Sequence, residues 1–420
     1  MPALPNHSSL GTVVVAASAA GTMLFCWKAA QAYMQLRRNE ALLKKLPRFL
    51  SSWRISLCFI QIWHDLSVTL QDAGLFPWEV SEIGTQWCPN ADHVSPNGYL
   101  YVTAFRYNDS KGTVGSVAQL RHFSGTNSSS YVVRTRQGQD AMLRVVAIGE
   151  DGREPLRIWR KLATAPHALI STNHVLPLLQ EVHLEHITLG LFPLVAQSME
   201  DIFGMWAKNS VGDILNALVQ ALEALAYVHG LGIAHRDAFK HNFLIQWFPE
   251  SLKTGVVPVS TPRVFLIDFE TAIEFPADCP PSERTCTGLP NISSLAGDPD
   301  EYTPPRIPEM ATGEPYDPFK LDVWQLATSF RDLTCSTMPP VQELFRSMAS
   351  LDATERLSAD EALSRLRAFL EDTPPKFLLI PPVLHYGPHM PSSADIRAMC
   401  YPVGEAPDEN DEPEEKARVE

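Results

Sequence analysis

Val211 to Ile245 reads VGDILNALVQALEALAYVHGLGIAHRDAFKHNFLI, and three patterns follow one another within it. Ile214, Leu218, Ala221, Leu222, Leu225 and Val228 recur on one stripe, which predicts a core-facing helix over Val211–His229 that stops at Gly230. A charged loop comes next, from Gly232 to Asn242, and Phe243 opens an apolar run that reads as a strand. Farther on, Arg263 to Asp268 (RVFLID) is a second apolar strand that ends on a carboxylate.

Inside the loop, His235-Arg236-Asp237 is followed five residues later by Asn242. At this point the chain resembles the eukaryotic protein kinases, whose catalytic loop carries the signature H-R-D-x-x-x-x-N. The resemblance implies that Asp237 accepts the proton of the acceptor hydroxyl, that Asn242 holds magnesium, and that Arg236 and Lys240 act in the same loop. Asp268 opens Asp-Phe-Glu where the family has Asp-Phe-Gly, and by resemblance it is the magnesium ligand that bridges the ATP phosphates. Arg306-Ile-Pro308-Glu309 looks like the Ala-Pro-Glu that closes the activation segment, and Leu321-Asp322-Val-Trp324 is similar to the helix after it. Asp322 would brace the catalytic loop together with His235. Asp352 to Leu363 (DATERLSADEAL) resembles the closing motif, whose arginine, here Arg356, pairs with the glutamate, here Glu309. Such residue types suit the chemistry, because magnesium takes hard oxygen ligands and an acceptor hydroxyl needs a base. Each alone could equally be a solvated loop group or a helix cap. Five ordered matches over some 130 residues make them a set.

The resemblance covers roughly Tyr99 to Leu370 and implies an α+β, bilobal protein-kinase-like fold. Residues 99–196 would form a small β-rich N-lobe and 197–372 a mainly helical C-lobe. Tyr131–Arg136 and Gln139–Ile148 read as a hairpin turned at Gln137-Gly138, Glu154–Leu162 as a short helix, and Ile187–Val195 as a strand entering a linker. ATP and Mg2+ are the implied ligands, and a protein serine or threonine the implied acceptor. The wording HRDAFKHNFLIQW and YDPFKLDVWQLATSF is similar to kinase-like proteins of fungi. A small-molecule phosphotransferase shares the loop core, but the Pro-Glu and Asp322-Val-Trp features favour the protein-kinase branch.

Several positions depart from the family. Its phosphate-binding lysine, in a Val-Ala-Ile-Lys word, is replaced by Arg144 in Ala-Met-Leu-Arg, a planar fork in place of a compact ammonium. Glu154 is nearest to the helix glutamate that should pair with it, although Pro155 stands at the expected register. Gly112 to Val117 and Ser124 to Ser130 are both candidates for the glycine-rich loop. Phe239 occupies the place of the catalytic-loop lysine, with Lys240 one residue late, and Glu270 adds a carboxylate beside the metal ligand. A second reading follows from these losses: a pseudokinase scaffold that binds nucleotide or a protein partner without efficient catalysis. The long segment Asp268–Glu309 offers Thr285, Thr287, Ser293, Ser294 and Thr303 for phosphorylation, with Arg236 as the docking cation.

Composition bounds the rest. The 420 residues are 45% hydrophobic, enough for a large core, and a net charge of -14 argues against nucleic acid as the main partner. Seven scattered cysteines without a CxxC pair suggest free thiols in a reducing compartment, Cys279 and Cys286 included. Residues 405–420 hold eight acidic and two basic side chains, the mark of a solvated tail behind an extension over 373–404. Leu10–Trp27 is uncharged over 18 residues, and seven basic residues from Lys28 to Arg54 follow with Glu40 the only acid. Within a terminal segment 1–36 this predicts a membrane anchor, with the basic region 37–98 and the kinase-like domain on the cytosolic side, the alternative being a buried or interfacial helix of a soluble cytoplasmic protein. Ile55–Leu70 is a second apolar run, too short to span, expected to pack on the body.

Overall fold

The computed structural model describes residues 26–27, 30, 42–54, 56, 59–81, 84–89, 101–103, 117–119, 122–123, 128–195, 197–203, 209–246, 262–290, 304–331, 333–334 and 338–384. The expected anchor therefore lies outside the described residues but for Cys26 and Trp27, as do the acidic tail and Ser293, Ser294 and Thr303.

The chain forms a kinase-like bilobal α+β fold, an antiparallel sheet in the N-terminal part followed by helices. Five strands make the N-lobe sheet: β1 (Leu75–Pro77), β2 (Ser130–Thr135), β3 (Asp140–Ile148), β4 (Gln180–Leu184) and β5 (Ile187–Pro193), in the spatial order β1-β2-β3-β5-β4. Gly138 takes φ +78° in the turn of the expected β2–β3 hairpin, a conformation that glycine adopts without a Cβ penalty. Two strands were not expected. β1 is three residues long and lies before residue 99, where the sequence places the start of the lobe, and β4 hides in a polar run.

Side chains alternate across β3, as the pleat requires. Ala141, Leu143 and Val145 face one apolar cluster, whereas Met142, Arg144 and Val146 face the other side. The first cluster is roofed by the N-terminal helices α1 (Leu50–Arg54) and α2 (Phe59–Asp72). Within it Trp53, Trp63, Leu66 and Leu70 are buried against Tyr131, Val133, Leu189 and Leu191. The apolar run at Ile55–Leu70 thus packs on the body as expected, and its partner is the outer face of the sheet. On the opposite face lies α3 (Arg153–Ala163), whose Leu156, Ile158, Trp159 and Leu162 join the main core.

The C-lobe is built on α4 (Val211–Gly230). Ser210 caps it in a reciprocal box with Asp213, and eleven of its residues are buried. Among the described residues this is the one helix long and apolar enough to cross a membrane, and most of it is enclosed by the core. The hairpin of β6 (Phe243–Gln246) and β7 (Arg263–Leu266) follows, with Phe243 opposite Leu266. Then come α5 (Pro308–Ala311), α6 (Pro318–Thr328), α7 (Pro339–Met348) and α8 (Ala359–Asp372).

Candidate active site

The loop expected to be catalytic hangs from a buried carboxylate. Asp322 on α6, with no exposure, accepts the backbone N–H of His235 (2.8 Å) and Arg236 (2.6 Å) and is met by His229 Nε2 at 2.8 Å. Gln325, one turn on, accepts the Ala238 N–H and donates to the Arg236 carbonyl. Four bonds to two side chains of one buried helix thus fix the loop backbone between His235 and Ala238, including Arg236 at φ +67°. The ring of His235 donates to the Ile267 carbonyl at 2.8 Å and lies edge-on to buried Phe269.

This scaffold presents Asp237. Its Oδ2 accepts from Asn242 Nδ2 at 2.8 Å, and the same amide donates to the Asp237 carbonyl at 2.7 Å. Its Oδ1 is buried and has no hydrogen-bond partner among the described residues. A buried, unsatisfied carboxylate oxygen is costly, and such groups gather at sites that await a proton or a ligand. Asn242 is tied to the next strand, since its carbonyl accepts the Ile267 N–H at 2.9 Å. Asp268 therefore stands beside it at the end of β7, at φ +65°, a conformation that costs a non-glycine residue roughly 1–3 kcal/mol. Of three positive-φ residues other than glycine among the described ones, two belong to this site. An amide and a carboxylate of this kind form a hard-oxygen donor set, which fits magnesium.

Arg144 crosses from the sheet to this pair. Its Nη2 lies 3.2 and 3.3 Å from the Asp268 oxygens and 2.6 Å from Glu270 Oε1, while the guanidinium sits 5.9 Å over the Trp159 ring. A second guanidinium, from Arg54 at the end of α1, pairs with Glu270 Oε2. Burial opposes ionisation of Asp268, yet Arg144 and Arg54 together hold its carboxyl below the usual value. Burial and the adjacent Arg144 push the Arg54 guanidinium down. Sequence reasoning missed Arg54, which lies outside every kinase motif.

The other expected residues fall elsewhere. Glu154 bonds Arg157 at 2.9 Å on the exposed face of α3, whereas the side chain that the helix turns to Arg144 is Trp159. α3 is instead pinned through Glu274, which accepts from Lys161 (2.8 Å) and Arg157 (2.5 Å). The ammonium of Lys240 lies 6.0 Å over the Phe330 ring, whereas His241 stacks on Phe239 and stands 3.8 Å from Asp237. Glu309 receives both arms of Arg356 at 2.9 and 3.1 Å, with the Arg356 side chain fully buried. Arg236 Nη2 approaches the Tyr316 hydroxyl at 3.5 Å. Both glycine-rich-loop candidates fall in the long β1–β2 connection, with 112–116 and 124–127 outside the described residues. Cys279 and Cys286 are free thiols, and burial raises the Cys286 pKa.

No family model matches the chain. It is 25% identical over 231 residues to the serine/threonine-protein kinase ppk8 of Schizosaccharomyces pombe, an overlap of 53% of this chain and 39% of that protein. Testis-specific serine/threonine-protein kinase 3 of Homo sapiens is 30% identical over 120 residues, 29% of this chain and 35% of the relative, and the Mus musculus protein matches equally. The chain thus spans well under half the length of these curated relatives. Fold, motif placement and these similarities agree that the chain is protein-kinase-like.

Proposed function

We propose that this protein is a protein kinase that transfers the γ-phosphate of ATP to a serine or threonine hydroxyl of a protein. The observation that carries the reading is the buried, unpartnered Oδ1 of Asp237 beside Asn242 and Asp268. Asp237 takes the proton of the acceptor hydroxyl on Oδ1, while Asn242 holds Oδ2 and so fixes the direction in which the free oxygen points. Asn242 and Asp268 are the residues that would hold magnesium, which when bound supplies charge neutralisation to the transferring phosphate. Arg144 contributes positive charge from the sheet side, as a fork able to grip two phosphate oxygens. Arg236 would dock a phosphorylated activation segment, in which Thr285 and Thr287 are candidate acceptors.

Full-length protein with Mg-ATP and a generic protein substrate should transfer phosphate, and Asp237→Asn should reduce the rate by about 10²–10⁴-fold with an unchanged melting temperature. Equal rates in the two proteins refute the assignment. No transfer by a well-folded wild type, with nucleotide still bound, selects the pseudokinase reading. The anchor expected at Leu10–Trp27, with the domain facing the cytosol, is a separate proposal, and release of the whole protein by carbonate extraction would refute it.

A further inference from the structure

In the kinase mechanism, the phosphate-binding lysine acts only when an ion pair to a helix glutamate holds it in place. Arg144 here has no such partner on α3. Position 155 is proline, Glu154 is spent on Arg157 at the surface, and the helix offers Arg144 only the ring of Trp159. Yet Arg144 is well held. Glu270 Oε1 lies 2.6 Å from its Nη2, shorter than either Asp268 contact. The second oxygen of Glu270 receives Arg54, so each carboxylate oxygen takes one guanidinium, and all three side chains are less than one-fifth exposed.

We propose that Glu270 replaces the missing helix glutamate as the positioning residue for Arg144, with Arg54 of α1 as the second cation that fixes Glu270. The inference rests on the kinase reading of the site. Its logic is one of competing claims on Asp268. A carboxylate clasped by arginine is a poor metal ligand, so Asp268 can serve magnesium only if another acid keeps Arg144 in place. Glu270 is that acid. The two departures from the family, arginine for lysine on β3 and glutamate for glycine after Asp-Phe, are therefore one change made in two places. Arginine suits it, because its planar fork can address an acid and a phosphate together where a point charge cannot. Arg54 completes the charge balance, since two guanidiniums face Asp268 and Glu270. Removing Glu270 lets Arg144 close on Asp268, and Arg54, which acts only through Glu270, then has no further effect. On this view α1 belongs to the catalytic unit although it precedes the first strand of the lobe.

The test is equilibrium binding of ATP to the full-length protein with and without magnesium, read as the factor by which magnesium tightens binding. In Glu270→Gln this factor should fall about tenfold, because Arg144 then closes on Asp268. Arg54→Gln should lower it in the same direction by less, and Arg54→Gln added to Glu270→Gln should change nothing further. In an Arg144→Gln background the Glu270 effect should vanish. Simple loss of a negative charge would tighten ATP equally with and without magnesium, and an unchanged factor in both single variants overturns the proposal. So does equal sensitivity to Glu154→Gln, or a wild type that binds no ATP. Failure of the kinase reading is separate: a wild type that shows the full magnesium effect but transfers no phosphate.

Discussion

Trp63→Ala asks whether the N-terminal helices are part of the lobe. Trp63 is 1% exposed, meets Trp53 edge-on with centroids 5.7 Å apart, lies 5.1 Å from the Tyr131 ring, and donates its indole N–H to the Ser128 carbonyl at 3.0 Å. Truncating a buried tryptophan costs about 3–5 kcal/mol, and the orphaned Ser128 carbonyl adds to it unless water follows. With Trp53 and Tyr131 too large to close the gap, a loss of about 4–5 kcal/mol is expected, a large share of a domain stability of about 5–15 kcal/mol. The assay is hydrogen exchange of the β2 and β3 amides in the full-length protein, which reports the opening free energy of the sheet. Because Arg54 and Trp53 share α1, the magnesium effect on ATP binding should fall as it does in Arg54→Gln. Protection within about 1 kcal/mol of wild type would refute the reasoning, since α1 and α2 would then merely rest on a sheet that is stable alone.

Other perturbations test separate parts of the fold. Glu309→Ala leaves the fully buried Arg356 guanidinium with, among the described residues, only the Ser350 carbonyl (2.9 Å), and should cost about 3–5 kcal/mol in urea unfolding. Gly152→Ala places a Cβ 2.4 Å from the Val146 carbonyl oxygen at φ +81°, with Leu50 behind it, so a loss of about 2–4 kcal/mol in the same assay is expected. Burial works against ionisation of Glu274, but hydrogen bonds from Lys161 and Arg157 hold it below the usual 4.5. Its folded pKa being depressed, its contribution is present above about pH 4.5 and is lost as pH falls through the lower folded value. The melting-temperature gap between wild type and Glu274→Gln should accordingly be open near neutral pH and close in acid.

The C-lobe is legible in the sequence because its decisive features are contiguous words. A 20-residue helix with one apolar stripe needs no partner to be recognised, and HRD with Asn242 marks the loop by its resemblance to the kinase signature together with the ordered motifs that follow it. The N-lobe reads poorly for physical reasons. β1 is too short to show a period, and the roof over the sheet joins side chains far apart in the chain, such as Leu66 and Leu191, whose pairing no local pattern encodes. Glu154 suggested itself by proximity to the expected register, but a helix face is set by rotation, and one residue of displacement turns it some 100° to the surface. A signal for the actual arrangement did exist: the unusual arginine and the unusual glutamate have opposite charges.

The same charge logic explains why Phe239 can stand where the kinase family carries a loop lysine. Phe239 is 4% exposed and belongs to a cluster with Cys286, Ile307, Met310, Tyr316, Leu321 and Trp324, which packs the activation segment against α6. A lysine there would bury an ammonium among apolar side chains, at a cost that only a paired anion could offset. Phenylalanine instead stabilises the segment that carries Glu309, and the ammonium of Lys240 is directed to the Phe330 ring. The cations that face Asp268 are then Arg144 and Arg54, both reaching down from the N-lobe side. Asp322 and Gln325 hold the loop around Asp237 through backbone bonds that are indifferent to which side chains Phe239 and Lys240 carry. On the proposed kinase reading, Asp237, Asn242 and Asp268 would keep the base and metal-ligand roles on the C-lobe, while Arg144 and Arg54 would bring positive charge from the lobe that the N-terminal helices brace.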